Sequence, residues 1–382
     1  MNLPDTQYFL LASPLCTTLI GAVFIAAHFW FKAPKYLLWI GLGCILPSVA
    51  LGAQSLMTNA LLKLTAPWFA LCYLTGAWAV AHGMLLKAHS KSNIKVATIL
   101  IAVAMMMLLY FRYVDDQLWL RIAVISGGIS CLEALALPKV YNLYKNTNGL
   151  EKVLFASYIF LFTYSVIRTF IFIAYFPYEQ HVQYIDLVTT HWWMMVVFIK
   201  LLVNLWFAII VSAVAVKEKF HIINEERLRD PLTKLYNRNG FSEKTKASFN
   251  ELHHGEVYLV MSDIDNFKHI NDTWGHIVGD EILCAIADIY RSNIRQGDVV
   301  GRFGGEEFII LLHSVDEKSS IALVERLRKK IEDQIFINNI GITASFGAAK
   351  IDKSSHLINS IEIADKHLYI AKNNGRNQVC FI

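Results

Sequence analysis

The sequence predicts two fold classes in one chain: an N-terminal all-α transmembrane helical bundle of about seven spans, then a C-terminal α/β domain with a central, mostly antiparallel sheet flanked by helices. Three observations carry this. Residues 1–216 hold 13 Lys or Arg and 7 Asp or Glu, whereas residues 217–382 hold 22 and 24. The charge-poor part is a succession of long apolar runs. The charged part alternates strand-like with helix-like runs and reads as an ordinary soluble domain.

The apolar runs fall at about 9–31, 37–57, 66–86, 94–111, 118–138, 153–176 and 190–216. Each is long enough to cross a ~30 Å hydrocarbon core as a helix. A soluble helical domain would need polar faces at helical spacing, and runs such as ATILIAVAMMMLLYF have none.

Lys and Arg set the expected orientation. The segment before the first span has neither, and the second, fourth and sixth loops carry only Lys63, Arg112 and none. The first loop carries Lys32 and Lys35, the third Lys87, Lys91 and Lys95, the fifth Lys139, Lys145 and Lys152, and the exit Lys217 and Lys219. The N-terminus is therefore expected outside and the C-terminal domain in the cytoplasm, in a multi-pass membrane protein. Trp192 and Trp193 at the outer end of the last run suit an interfacial aromatic belt, and nothing basic precedes the first run as a cleaved signal would require. The six cysteines show neither a disulfide framework nor zinc-ligand spacing.

Within the spans, Arg168 and Lys200 come to similar depth in the outer half, and Glu133 nearer the inner side, too far to pair with them. The two cations either snorkel to the outer interface or face the bundle interior and hold an anionic ligand or a lipid headgroup.

The organisation expected is a membrane domain over 1–216, a helical linker over 217–229 and a soluble α/β domain over 230–382. The linker VKEKFHIINEERLR has no Gly or Pro, and Val216, Phe220 and Ile223 follow helical spacing. It continues the last span and offers a seam to a second copy, or lies on its own domain.

In the third part, Val257, Leu259 and Met261 alternate with Tyr258 and Val260 until the apolar pattern stops at Asp263, where a buried strand opens to a ligand loop. Gly304-Gly305 before Glu306-Glu307 reads as a hairpin turn, which brings one of these acids beside Asp263. Converging carboxylates without matching Lys or Arg repel unless a divalent cation lies between them. Oxygen-only ligands suit Mg²⁺ or Mn²⁺ and phosphoryl-transfer chemistry.

Five blocks, DPLTKLYNR (230–238), DIDNFKHINDTWGHIVGDEIL (263–283), GRFGGEEF (301–308), ITASFGAA (342–349) and ADKHLYIAKNNGRNQV (364–379), resemble in order and spacing those of GGDEF-domain diguanylate cyclases. The resemblance covers about residues 225–382 and none of the membrane part. It implies that two GTP molecules, one per subunit of a homodimer paired through the linker helix and the GGDEF domain, are condensed to cyclic di-GMP with release of two pyrophosphates. By position, Asp263, the carbonyl of Ile264, Glu306 and Glu307 would hold Mg²⁺ or Mn²⁺, two ions per active site. Glu306 would also ease deprotonation of the attacking hydroxyl. Lys268, placed in the catalytic set, joins Lys372 and Arg376 as triphosphate contacts, while Gly304 and Gly305 let the backbone approach the phosphates.

The resemblance assigns guanine recognition to Asn271 and Asp280, with His276 lining the site. A carboxylate accepts from N1–H and N2–H₂ of guanine, a donor pair adenine lacks. Asp280 also reads as an N-cap, since Gly-Asp-Glu before an apolar run is a good helix start. Arg295 and Asp298, an RxxD just before the signature, match the family's product-binding inhibitory site, with Arg326 as a secondary contact. Lys234 departs from the pattern, standing where many relatives have Gly. The partners implied are GTP, the product cyclic di-GMP, membrane lipid and a second copy, and no nucleic acid polymer.

Overall fold

A computed structural model describes residues 5–115, 117–175, 190–251, 256–314, 316–351 and 357–381. The sixth inter-span loop and the side chains of Lys63 and Trp192 lie outside what is described. The chain divides into two compact units, Met1–Phe220 and His221–Ile382.

The first unit is helical: α1 (Asp5–Phe31), α2 (Lys35–Leu56), α3 (Asn59–Lys87), α4 (Ile94–Tyr113), α5 (Leu118–Ala134), α6 (Leu137–Asn146), α7 (Gly149–Tyr175) and α8 (His191–Arg227), the last leaving the unit at its C-terminal end. Six stretches are single helices long and apolar enough to cross a membrane. The expected span 118–138 is instead α5 and α6, a pair bent by 46°. Pro138 sits in the first turn of α6, where its missing N–H is tolerated.

Small residues set the tightest helix contacts. A Cβ on Gly21 of α1 would lie 2.6 Å from the carbonyl of Gly41 in α2, and one on Gly41 2.8 Å from that of Gly21. Bundles in an apolar solvent cohere by such close backbone packing. Near the end of α3, Lys87 Nζ bonds Glu151 Oε1 of α7 at 2.7 Å and Glu218 of α8, and Tyr36 donates to Glu218 Oε2 at 2.9 Å.

Glu133 lines the same cavity as Arg168 and Lys200, contrary to the separation expected from counting residues inward. The count assumed an upright span, and Glu133 lies at the end of α5, next to the bend. The cations also depart from the snorkelling alternative, since both line this interior cavity.

The second unit is an α/β domain with the sheet order β2-β3-β1-β4-β5, where β1 is Glu256–Ile264, β2 Val299–Gly304, β3 Glu307–Ser314, β4 Ala344–Ile351 and β5 Val379–Phe381. Only β4 and β5 run parallel, so the sheet is mixed and mostly antiparallel. Its helices are α9 (Arg238–Glu251), α10 (Phe267–Trp274), α11 (His276–Asn293), α12 (Glu317–Glu332) and α13 (Leu357–Asn373). Alternate residues of central β1 feed two cores: Tyr258, Val260 and Ile264 pack with residues of α11 and α12, and Val257, Leu259 and Met261 with Phe241, Ala364 and Leu368. Asp263 falls on the second face by the two-residue period.

Helix α13 lies very close to the sheet because of Gly347 on β4. A Cβ there would lie 2.1 Å from the Leu368 nitrogen and 2.2 Å from the Ala364 oxygen. That approach positions the residues at the end of α13 over the end of β1.

Candidate active site

Asp263 and Glu307 face each other in register across β1 and β3, and Gly304 pairs with Glu307 to close the turn holding Gly305 and Glu306. The hairpin and the convergence of acids are thus one feature. Asp263 is buried, and its Oδ2 lies 2.7 Å from Nζ of Lys372, in the last turn of α13. Burial pushes the Asp263 carboxyl up to about 6. Lys372 opposes the rise, and the charges of Glu306 and Glu307 add to it.

The two glycines differ. A Cβ on Gly304 would stand 3.2 Å from Glu307 Oε2, whereas one on Gly305 would meet nothing within 4 Å. Gly305 therefore faces open space in front of the carboxylates. The side chain of Ile264 is in the core, so only its backbone can face the site.

Among the described residues no three His, Cys, Asp or Glu side chains gather as a ready metal centre. The donors present are carboxylates on adjoining strands and a backbone carbonyl. An oxygen-only set of this size suits Mg²⁺, which keeps part of its coordination for water and phosphate. The upward shift of Asp263 also marks a carboxylate that a second positive charge would stabilise. The residues fit such an ion.

Asn271 ends its side chain in a buried Oδ1 with no hydrogen-bond partner. Gly279 leaves room for it, since a Cβ there would fall 2.0 Å from that oxygen. His276 and Asp280, four residues apart on α11, are exposed, as are Lys268 and Arg376. The N-cap alternative for Asp280 fails: the helix begins at His276 behind Gly275, whose φ of +84° breaks the chain direction. Asp280 lies a full turn inside, and no hydrogen bond of its side chain is recorded among the described residues.

The RxxD turn is arranged asymmetrically. Asp298 accepts from its own turn, the Arg295 backbone N–H at 3.0 Å, and from the His313 N–H of β3 at 2.9 Å. The Arg295 side chain is exposed, and Arg326 donates to the Asn293 carbonyl at 3.3 Å.

Two positioning networks escaped the sequence reading. Arg302 donates through Nε to the Gly305 carbonyl at 2.9 Å and through Nη1 to Asp230 Oδ1 at 3.2 Å, tethering the Gly-Gly-Glu-Glu turn to the start of the domain. Asp230 is fixed in turn by the Thr233 N–H and hydroxyl, both at 2.8 Å. Burial alone would raise its carboxyl, but Thr233 and Arg302 hold it below the ordinary value. The Asp-x-x-Thr spacing is a turn signal that could have flagged this residue. Asp265, buried just past β1, accepts from Thr343 and Ser345 hydroxyls at 2.7 Å and from the Asn377 N–H at 3.1 Å. It ties β1, β4 and the loop after α13 together beside Asp263.

Residues 227–378 match the family model described as diguanylate cyclase, GGDEF domain. The chain is 38% identical over 159 residues to the diguanylate cyclase DosC of Escherichia coli K12, covering 39% of this chain and 34% of that protein. It is 37% identical over 157 residues to the probable diguanylate cyclase DgcT of the same organism, covering 40% and 35%. The chain thus spans about a third of the length of these curated relatives. Among solved structures, the active GGEEF domain of a diguanylate cyclase from Vibrio cholerae is 34% identical, covering 38% of this chain and 95% of that one with a TM-score of 0.36.

Proposed function

Because residues 227–378 are a GGDEF domain by this match, we propose that the chain is a membrane-bound diguanylate cyclase, a nucleotidyltransferase condensing two GTP into cyclic di-GMP and two pyrophosphates. The observation that carries the reading is the buried Asp263 carboxylate beside Glu306 and Glu307, with Lys372 opposite and open space at Gly305.

Phosphoryl transfer asks for positioning and charge stabilisation more than for covalent chemistry. Asp263, Glu306, Glu307 and the Ile264 carbonyl would hold Mg²⁺ or Mn²⁺, which supplies charge neutralisation at the triphosphate and a more acidic ribose hydroxyl. Lys372, Lys268 and Arg376 bring positive charge to the phosphates. Glu306 sits in the turn and takes the proton of the attacking 3′-hydroxyl. Asn271, with its unpartnered oxygen, and exposed Asp280 receive the guanine edge, and His276 lies a turn from Asp280. A base without the donor pair leaves these acceptors unpaired where it covers them from water.

Each GGDEF domain carries one half of the reaction, so turnover needs two copies. Val216, Phe220 and Ile223 on α8 are exposed, at 68%, 71% and 51%, which supports pairing with a second copy through this helix. The membrane unit acts as the regulatory input, with the catalytic domain on the cytoplasmic side of the inner membrane. The RxxD turn with Arg295, Asp298 and Arg326 binds product and limits output.

The test is pyrophosphate release by the full chain given GTP and Mg²⁺. Release by the parent and none by Glu306→Ala or Asp263→Asn supports the reading. Equal release by all three, or none by the parent, contradicts it.

A further inference from the structure

Within the N-terminal unit, helices α1, α2, α3, α5, α7 and α8 enclose a cavity of about 110 Å³, several times the ~10–15 Å³ a single water needs. Glu133, Arg168 and Lys200 all line it, from three different helices. Ionisable groups at membrane depth are costly and are kept where they serve a ligand or a relay.

Their pairing is incomplete. Glu133 is only 7% exposed, yet its Oε2 is buried without a partner. Arg168 Nε is likewise buried and unpartnered. Lys200 Nζ stands 5.9 Å from the centre of the Tyr73 ring, and Tyr73 lines the same cavity. Two cations and one carboxylate therefore line one cavity, leaving an excess positive charge, an unused donor and an unused acceptor. Buried groups left in this state mark a missing partner.

We propose that this cavity binds a small organic acid carrying a hydrogen-bond donor beside its anionic group, a hydroxy- or amino-carboxylate. The acid neutralises Arg168 and Lys200 and engages Arg168 Nε. Its hydroxyl or ammonium donates to Glu133 Oε2. A simple anion answers only the first demand, and a cation only the second. A lipid headgroup with both an anion and an ammonium shares this chemistry, so the test separates the two sources. Service of the site as the regulatory input rests on the regulatory role proposed above for the membrane unit; the binding itself does not, and its readout needs no nucleotide.

The full chain is reconstituted in nanodiscs of phosphatidylcholine alone, and its Tm is followed with glycolate, lactate, malate, glycine and aspartate, with acetate, methylamine and inorganic phosphate as controls. At least one hydroxy- or amino-acid should raise Tm by several degrees more than any control. That rise should vanish in Arg168→Gln and Lys200→Gln, and in Glu133→Gln should fall to the level of acetate. Should these variants fail to fold, Arg168→Lys with equilibrium dialysis of the labelled acid replaces them, with at least a tenfold loss of affinity expected. No excess over the controls, or a rise that survives unchanged in the variants, overturns the proposal. An Arg168-dependent rise from added phosphatidylserine with none from the free acids reassigns the cavity to a lipid headgroup and overturns it too.

Discussion

Lys372 Nζ stands 2.7 Å from Asp263 Oδ2, joining the end of the helix that packs on Gly347 to the end of the central strand. Asp263 titrates near 6 because burial, with added repulsion from Glu306 and Glu307, outweighs this lysine. Activity should therefore show an acid limb at or below about pH 6, since a bound cation draws the carboxyl down from its metal-free value, and there Asp263 is protonated and loses its hold on a cation. Replacing Lys372 with Met removes the opposing charge and should move that limb to higher pH. A pH profile of kcat/KM checks both; an unmoved limb contradicts the assignment.

The same shift carries a stability sign. The folded-state value of about 6 lies above the ~3.9 of an unfolded Asp, so the folded protein binds more protons between these values. In metal-free buffer the contribution of Asp263 to stability is fully present below about pH 4 and is lost as pH rises through about 6. Asp263→Asn should lack this slope and be relatively more stable at pH 7, by Tm measured across the range.

Asp280 is exposed and has no recorded hydrogen-bond partner among the described residues, so its replacement should not disturb the fold. Asp280→Asn should raise KM for GTP by roughly 10- to 100-fold through the unpaired guanine edge, with Tm unchanged. A loss of Tm instead would mark the residue as structural.

Arg295 and Asp298 should separate cleanly. Arg295 contributes only backbone groups to the turn, its N–H to the Asp298 carboxylate and its carbonyl to the Asp298 N–H, so Arg295→Ala should relieve product inhibition with no change in Tm. Asp298 caps two N–H groups, so Asp298→Ala should also cost about 1–3 kcal/mol of stability. Inhibition by added cyclic di-GMP and Tm, measured on both variants, test the contrast.

Lys234 adopts a φ of +59°, a left-handed conformation that costs a residue with a side chain roughly 1 kcal/mol or more. Lys234→Gly should raise Tm slightly and leave turnover intact. The sequence marked this position as a departure, and the backbone explains why glycine suits it.

The parts of the site legible in the sequence were those written in local pattern. Asp263 is where an apolar alternation stops, and Gly304-Gly305 with Glu306 and Glu307 form the hairpin their residue types suggest. What escaped was long-range or depended on one torsion. Asp230 and Arg302 are 72 residues apart and meet only through the fold. The N-cap alternative for Asp280 failed because Gly275, not the Gly-Asp-Glu run, turns the chain at the start of α11. Glu133 was separated from Arg168 and Lys200 because counting along a straight span could not anticipate the bend after Ala134.

The most direct measurement is the mass of the product formed when the full chain, reconstituted in lipid, is incubated with GTP and Mg²⁺, beside Glu306→Ala. The account predicts cyclic di-GMP from the parent and unchanged GTP from the variant. Unchanged GTP from both, with cyclic di-GMP still bound in a manner abolished by Arg295→Ala, would contradict it and make the protein a receptor for that nucleotide.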